Sequence, residues 1–242
     1  MDRLKALVAA AGRGSRAGLP YPKTLHPVQG VPILIRLLTL LDSIDACPTI
    51  IVSPDGQPLI AECLRAHGRG GHLVVQPQPL GMGDAVLRFA QSPAFPSADH
   101  VLLAWGDIPL IQPQTVTELI RVHFEHDNDF TLATREVEAA YTVVTRNARG
   151  GVQDVTETRE SGVGMPLSGE RDIGLFVFRK DAVMEALRRE VPQRYGRATG
   201  EHGFLYVIGQ LVAAGKRVEA LPIATELDLV SLNKLEDLEG HA

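Results

Sequence analysis

Four short, almost unbroken apolar runs mark the first half of the chain, at residues 4–10, 49–53, 72–76 and 100–104. Between them, and after the last, apolar residues recur at helical spacing over 33–41, 58–66, 83–91 and 113–125. A strand that is apolar throughout is buried on both faces, and a helix between two such strands returns the chain to the starting end of the sheet. The pattern predicts successive βαβ units, hence a largely parallel sheet with helices on both faces. In open sheets of this kind, ligands bind outside the carboxyl ends of the strands. The loops at 12–18, 76–83 and 106–107 follow the first, third and fourth strands, so all three should open on one edge and line one site.

The second half changes character. Segments 130–137, 142–145, 152–157 and 174–178 read as strands separated by polar turns, followed by helices at 182–190 and 204–214, a strand at 218–223 and a short C-terminal helix. No repeat, low-complexity tract or linker interrupts the 242 residues, which suffice for a full core. The expectation is one α/β domain over 1–242, Rossmann-like, with three α/β/α layers around a mostly parallel central sheet. Its nucleotide-binding half covers about 1–112 and its substrate-binding half about 113–242.

Composition narrows the partners. A hydrophobic fraction of 45% and a charged fraction of 22% are ordinary for a globular protein. A formal charge of -5 argues against a broad nucleic-acid surface but leaves room for a small nucleotide. No apolar run approaches the roughly 18 residues of a membrane helix, and the run at 6–11 fits a buried first strand better than a signal peptide. Cys47 and Cys63 have neither metal-ligand spacing nor a disulfide framework, which predicts free thiols in a reducing compartment, the cytoplasm. His123 and His126, beside Glu125 and Asp127, read as a solvated helix end rather than a metal pair.

The stretch Gly12-Arg13-Gly14-Ser15-Arg16-Ala17 fits the loose dinucleotide pattern G-x-G-x-x-A. That pattern needs an acid about 20 residues on, at the end of the second strand, to hold a ribose. The chain offers Val31-Pro32-Ile33-Leu34-Ile35 there, and its next acid, Asp42, lies in or just after a helix. No Gly-Lys-Ser/Thr comes after the glycines, so the loop is not a Walker motif either. The chain continues instead with Pro20-Tyr21-Pro22-Lys23. Glycines let backbone amides approach phosphate oxygens, Arg16 and Lys23 add two cations, and Pro22 restricts the chain ahead of the lysine. On these residues alone a triphosphate competes with a dinucleotide, and a solvated basic turn is the plain alternative.

With its flanks, the stretch resembles the signature of the sugar-phosphate nucleotidyltransferases, L-A-A-G-x-G-x-R followed by P-K-x-L. Here it stands as Val8-Ala9-Ala10-Ala11-Gly12-Arg13-Gly14-Ser15-Arg16 and Pro22-Lys23-Thr24-Leu25-His26. The second segment looks most like the uridylyltransferase half of the bifunctional N-acetylglucosamine-1-phosphate uridylyltransferases. Gln76 with Leu80-Gly81-Met82-Gly83-Asp84-Ala85 is similar to that family's nucleobase loop, and Trp105-Gly106-Asp107-Ile108-Pro109-Leu110-Ile111 to its metal-binding G-D-x-P-L motif. Glu157 corresponds to a sugar-binding glutamate and Asn233 to a second metal ligand. The resemblance implies attack of a sugar-1-phosphate oxygen on the α-phosphorus of a nucleoside triphosphate, UTP or dTTP favoured, with release of pyrophosphate and no protein nucleophile. Two anions approach one another, so catalysis is mainly charge neutralisation and positioning.

The same resemblance implies that Arg16 and the amides of Gly12 and Gly14 hold the β- and γ-phosphates, while Lys23 sits at the α-phosphate. Ala10, Ala11, Gln76, Gly81 and Met82 complete the implied nucleotide site, and Glu157 and Asp172 the sugar site. Asp107 and Asn233 are the implied ligands of Mg²⁺, a hard ion that takes oxygen donors and keeps waters. Without the resemblance, Asp107 is a turn residue after a strand and Asn233 a helix N-cap with Glu236 three residues on. Gln76 is then a strand end or a reader of a uracil or thymine edge, and Glu157 a solvated strand residue. Trp105 is expected to pack behind the metal loop, and His202 in Gly200-Glu201-His202-Gly203 has no implied role.

Departures from the family pattern gather on the substrate side. Met82 stands for a threonine, Asp84 for a histidine, Asp172 for an asparagine and Tyr141-Thr142-Val143 for Y-G-R, while 200–206 differs from G-E-Y-Y-x-T-D. Cytidylyl or guanylyl transfer to another phosphorylated acceptor therefore stays open, as does a nucleotide-binding module without turnover. The sequence holds no hexapeptide repeats, so the acetyltransferase activity of the bifunctional family is not expected of it.

Overall fold

The computed structural model describes residues 3–12, 14, 17–161 and 167–238. The first half runs β1 (Leu4–Ala9), the two-residue pair β2 (Pro27–Val28) and β3 (Val31–Pro32), α1 (Ile33–Leu41), β4 (Thr49–Val52), α2 (Gly56–Ala66), β5 (His72–Val75), α3 (Met82–Arg88), β6 (His100–Trp105) and α4 (Pro113–Glu125). The second half adds β7 (Phe130–Ala140), β8 (Thr142–Arg146), β9 (Val152–Glu157), α5 (Thr158–Ser161), β10 (Leu167–Arg179), α6 (Lys180–Arg188), α7 (Val207–Ala213) and β11 (Val218–Leu221).

Seven strands form one sheet in the order β11-β7-β10-β6-β1-β4-β5. β1 pairs in parallel with β4 and β6, β4 with β5, and β7 with β11. β10 runs antiparallel between β6 and β7 and so ties the two halves of the chain into one sheet. The sheet is mostly parallel, as the βαβ pattern predicts. Side chains alternate between its faces. In β1, Leu4, Ala6 and Val8 join the core under α1, α2 and α4, and Leu7 joins the core under α3, α6 and α7. In β10, Leu175 and Val177 take the first face and Phe176 and Phe178 the second. Helices therefore cover both faces in three α/β/α layers. α1 buries Ile33, Leu34, Leu37, Leu38 and Leu41 along one stripe, each such side chain contributing about 1.5–3 kcal/mol of burial. No described helix is long and apolar enough to cross a membrane.

The short β2–β3 pair and α5 are absent from the sequence expectation, α3 and α7 are shorter than the predicted 83–91 and 204–214, and the differences that matter most are in β7, β10 and His123. β7 and β10 outrun the predicted 130–137 and 174–178, because their outer halves leave the core and carry exposed polar residues such as Glu136 and Glu138. Asp172 pairs with Thr134 but Phe176 with Leu132, so a bulge in β10 interrupts the alternation that would have revealed the strand. The other difference is His123, which is not part of a solvated helix end. It is fully buried, with Nε2 2.9 Å from His100 Nδ1 and Nδ1 2.8 Å from Thr131 Oγ1. Burial above all, then His100 and Arg179, pushes its pKa down to about 3. His126 is exposed as expected, beside Glu219 at 2.8 Å.

Candidate active site

β1, β4, β5 and β6 are parallel, so their carboxyl ends share one edge. The chain passes from β1 outward to β4 and β5, then back to β6 on the other side of β1. That reversal is the switch point where open α/β sheets bind ligands. The glycine loop after β1, the Gln76 loop after β5 and the Asp107 loop after β6 all open there, as the sequence predicts.

The glycine loop delivers Lys23 to the switch point. Gly14 has φ +69°, and a Cβ there would lie 2.7 Å from the Tyr21 carbonyl oxygen, so both backbone and space demand glycine. The Ala17 N–H donates to the Gly14 carbonyl at 2.9 Å, closing a turn that folds residues 19–23 back beneath the glycines. The Lys23 stem then passes Gly12, its Cε 3.6 Å from where a Cβ of Gly12 would stand. Lys23 Nζ ends 2.5 Å from Asp107 Oδ2. With side chains 19% and 21% exposed, the pair is largely withdrawn from water yet open to a ligand. Arg16 lies outside the described residues.

Asp107 is held at both ends of its loop. The Gly106 N–H donates to the Ala9 carbonyl at 2.9 Å, and the Leu232 N–H donates to the Asp107 carbonyl at 2.8 Å. The second bond brings the C-terminal segment, with the exposed Asn233, alongside Asp107. Asn233 is not the N-cap its sequence setting suggests. Asp237 Oδ2 accepts the N–H groups of Asn233 and Lys234 at 2.8 and 2.7 Å, whereas Asn233 Nδ2 donates to Ser231 Oγ at 3.1 Å. A carboxylate one turn ahead reaches both amides, which leaves the Asn233 side chain out of the cap. A carboxylate and an amide oxygen are the hard donors that Mg²⁺ takes, a few from the protein with waters and phosphates completing the shell. The carboxylate already faces a cation, the Lys23 ammonium. No cluster of three or more His, Cys, Asp or Glu able to hold a metal occurs among the described residues.

Gln76 lines a cleft with Ala11, Ser53, Pro54, Pro77 and Pro79, between the ends of β1, β4 and β5. It is buried, and its Nε2 donates to the Gly81 carbonyl at 3.0 Å and to Asp84 Oδ2 at 2.9 Å. Asp84 in turn takes Arg88, whose Nη2 lies 3.1 Å from Oδ1 and whose Nε lies 3.3 Å from Oδ2. In the sequence Asp84 stands out only as a departure from the family pattern; its i,i+4 spacing to Arg88 on α3 is the available signal of a partner. Gly81 and Gly83 make room for protein rather than opening the loop alone. The Gly83 N–H donates to His202 O at 2.9 Å, and a Cβ on Gly83 would stand 2.1 Å from Gly203 O. His202, without a role in the sequence, thus clamps the loop at 80–83 to the second half, its Nε2 3.2 Å from Tyr206 Oη. Burial first, then Arg194, lowers its pKa. Met82 begins α3 and packs partly into the second core. Ala10 is buried with its N–H spent on Ile51 O at 2.8 Å, so it offers a ligand no amide donor.

On the acceptor side, Glu157 ends β9 opposite Thr142 of β8 and lies near Gly203, its Oε1 4.0 Å from where a Cβ would be. Thr142 Oγ1 donates to Asp172 Oδ1 at 2.5 Å, and the Gly174 N–H donates to Asp172 Oδ2 at 3.0 Å. Asp172 is 2% exposed with both oxygens occupied, so it braces the bulge of β10 instead of meeting a sugar directly. Burial raises its pKa against these hydrogen bonds. Tyr141, next to Thr142, is 63% exposed. Trp105 packs against Phe176 behind the Asp107 loop, as expected.

The sequence profile of the MobA-like NTP transferase domain matches residues 6–197. The chain belongs to this family. The chain is 30% identical over 244 residues to the bifunctional protein GlmU of Leifsonia xyli subsp. xyli (strain CTCB07), covering 100% of this chain and 49% of the relative. It is 31% identical over 234 residues to GlmU of Alkalilimnicola ehrlichii (strain ATCC BAA-1101 / DSM 17681 / MLHE-1), covering 95% of this chain and 48% of the relative. The chain spans about half the length of the curated relatives it matches. Its fold is similar to that of UDP-glucose pyrophosphorylase complexed with UDP-glucose, at a TM-score of 0.73 and 17% identity over 95% of this chain and 96% of that one. The inositol-1-phosphate CTP transferase from T. maritima shares the fold at a TM-score of 0.69 and 17% identity over 90% and 84% of the two chains.

Proposed function

We propose that this NTP transferase moves a nucleotidyl group from a nucleoside triphosphate, UTP or dTTP favoured, to a sugar-1-phosphate, giving an NDP-sugar and pyrophosphate. The observation that carries the reading is the Lys23–Asp107 pair at the switch point, with Asn233 drawn alongside by the Leu232–Asp107 bond. An acceptor phosphate oxygen forms a bond to the α-phosphorus as the bond to the leaving pyrophosphate breaks, and no protein atom is covalently engaged. Negative charge builds on the bridging and leaving oxygens, where preorganised cations lower the barrier most. Lys23, released from Asp107 by the incoming phosphates, neutralises the α-phosphate, and Arg16 serves the β- and γ-phosphates. Asp107 and Asn233 would hold Mg²⁺, which supplies further positive charge at the phosphates. The first half of the single domain carries the nucleotide, and Glu157 and Tyr141 of the second half face the acceptor. Free Cys47 and Cys63 suit a cytoplasmic enzyme.

The test is pyrophosphate release across the four ribonucleoside triphosphates and dTTP, with and without Mg²⁺, against a panel of sugar-1-phosphates. Mg²⁺-dependent release with UTP or dTTP and one sugar phosphate is the expected result. Release confined to CTP or GTP, or binding without release across the panel, overturns this version of the reaction.

A further inference from the structure

The amide of Gln76 cannot turn freely. Its Nε2 faces two acceptors, the Gly81 carbonyl at 3.0 Å and Asp84 Oδ2 at 2.9 Å. Reversing the amide would set Oε1 against a carbonyl and a carboxylate, losing both Gln76 hydrogen bonds in a mostly buried place and bringing oxygen lone pairs together. Asp84 is itself fixed by Arg88 through both carboxylate oxygens. Both donor hydrogens of Gln76 are thus spent inside the protein. No described residue donates to Oε1, and Gln76 lines the cleft bounded by Ala11, Ser53, Pro54, Pro77 and Pro79. The three prolines restrict the backbone around that cleft.

From this geometry we infer that Asp84 is a specificity-positioning residue: it locks Gln76 so that only an acceptor, Oε1, faces the nucleobase cleft, which selects a pyrimidine bearing an imino N3–H. Uracil and thymine satisfy that acceptor. Cytosine presents a bare N3 at the same place, and two lone pairs then meet. A freely turning glutamine would serve either base, because its amide offers a donor and an acceptor. The inference rests on the nucleotide-binding reading of the cleft and deepens it, since discrimination is assigned to a residue that does not touch the base.

The test measures dissociation constants for UTP and CTP, alongside pyrophosphate release, for the wild type, Asp84→Ala, Asp84→Asn and Gln76→Met. The wild type should prefer UTP. Asp84→Ala leaves the Gly81 carbonyl as the one acceptor still orienting the amide, and the UTP-over-CTP preference should fall about tenfold, the scale of one unsatisfied buried polar group. Asp84→Asn keeps an oxygen where Oδ2 now accepts both Gln76 and Arg88, so it should retain the preference. Gln76→Met removes the amide and should lose the preference as Asp84→Ala does, which keeps the test open if Asp84→Ala does not fold. A uniform loss of affinity for both nucleotides in Asp84→Ala, with the ratio unchanged, overturns the inference, as does a wild type that prefers CTP. A wild type that binds UTP selectively but releases no pyrophosphate overturns the proposed reaction and leaves the base selection standing.

Discussion

Lys23 Nζ and Asp107 Oδ2 lie 2.5 Å apart although 84 residues of chain separate them. The glycine loop brings one and the end of β6 the other, so the pair marks where two βα connections converge. In the proposed reaction Lys23 neutralises a phosphate and Asp107 holds the metal, so neutralising either partner removes one of these parts. Lys23→Met and Asp107→Asn should each lower kcat/KM for pyrophosphate release by about 10²–10³. Stability should fall by only about 1–2 kcal/mol, between the values for exposed and fully buried pairs. Steady-state kinetics beside urea unfolding checks this; full activity in Asp107→Asn would remove that residue from the site.

Asn233 and Asp237 allow the proposed ligand role to be separated from a capping role. Since Asp237 makes the cap, Asp237→Ala should cost about 1 kcal/mol of stability. Asn233→Ala should change stability by less than about 0.5 kcal/mol, as an exposed substitution does, yet raise the Mg²⁺ concentration for half-maximal activity by about tenfold. A Mg²⁺ titration of the two variants decides it. The reverse pattern, with Asn233→Ala unstable and its Mg²⁺ requirement unchanged, would return Asn233 to a purely structural part.

The parallel half of the sheet is legible in the sequence because its strands are buried on both faces and read as continuous apolar runs. α1 and α4 are legible to the residue, since nothing but the core dictates their apolar spacing. β10 is not, because its period breaks at the bulge that Asp172 braces. The charged neighbours of His123 disguise its burial, although Val116, Leu119, Ile120 and His123 share one buried stripe at i, i+3, i+4 and i+7. In the site, motif spacing locates Lys23, Asp107 and Gln76, because each sits in the loop after a strand. The roles of Asp84 and His202 depend on contacts between segments distant in the chain, which no local pattern carries.

His123 gives stability a pH signature. Its folded pKa of about 3 lies below the ordinary histidine value, so between those limits the unfolded chain takes up a proton that the folded chain refuses. Stability must then fall as pH drops from about 6.5 towards 3. His100, its hydrogen-bonded neighbour, is lowered by burial and by Arg179 and adds in the same direction. His123→Gln keeps hydrogen-bonding groups for His100 and Thr131 but cannot titrate. The variant should be less stable at pH 7, by about 1 kcal/mol, and should lose stability more gently on acidification. Melting temperatures from pH 4 to 7 give the slope, and parallel slopes for the two proteins would refute the assignment.

Asp172 predicts the opposite sign. Burial raises its pKa, so the folded carboxyl keeps a proton that the unfolded one has already released. Its favourable contribution is full below the ordinary aspartate value and is lost as pH rises through the folded pKa, above which a buried charge works against the fold. Thr142 and Gly174 offset part of that cost by donating to the two oxygens. Asp172→Asn removes the charge, keeps an acceptor for the Gly174 N–H and offers its amide hydrogens to the Thr142 hydroxyl oxygen. The variant should therefore match or exceed the wild type at pH 7, by up to about 1 kcal/mol, and lose that advantage towards pH 4. Urea midpoints at the two pH values test this, and a variant less stable at pH 7 than at pH 4, relative to wild type, would show that the ionised carboxylate itself supports the bulge.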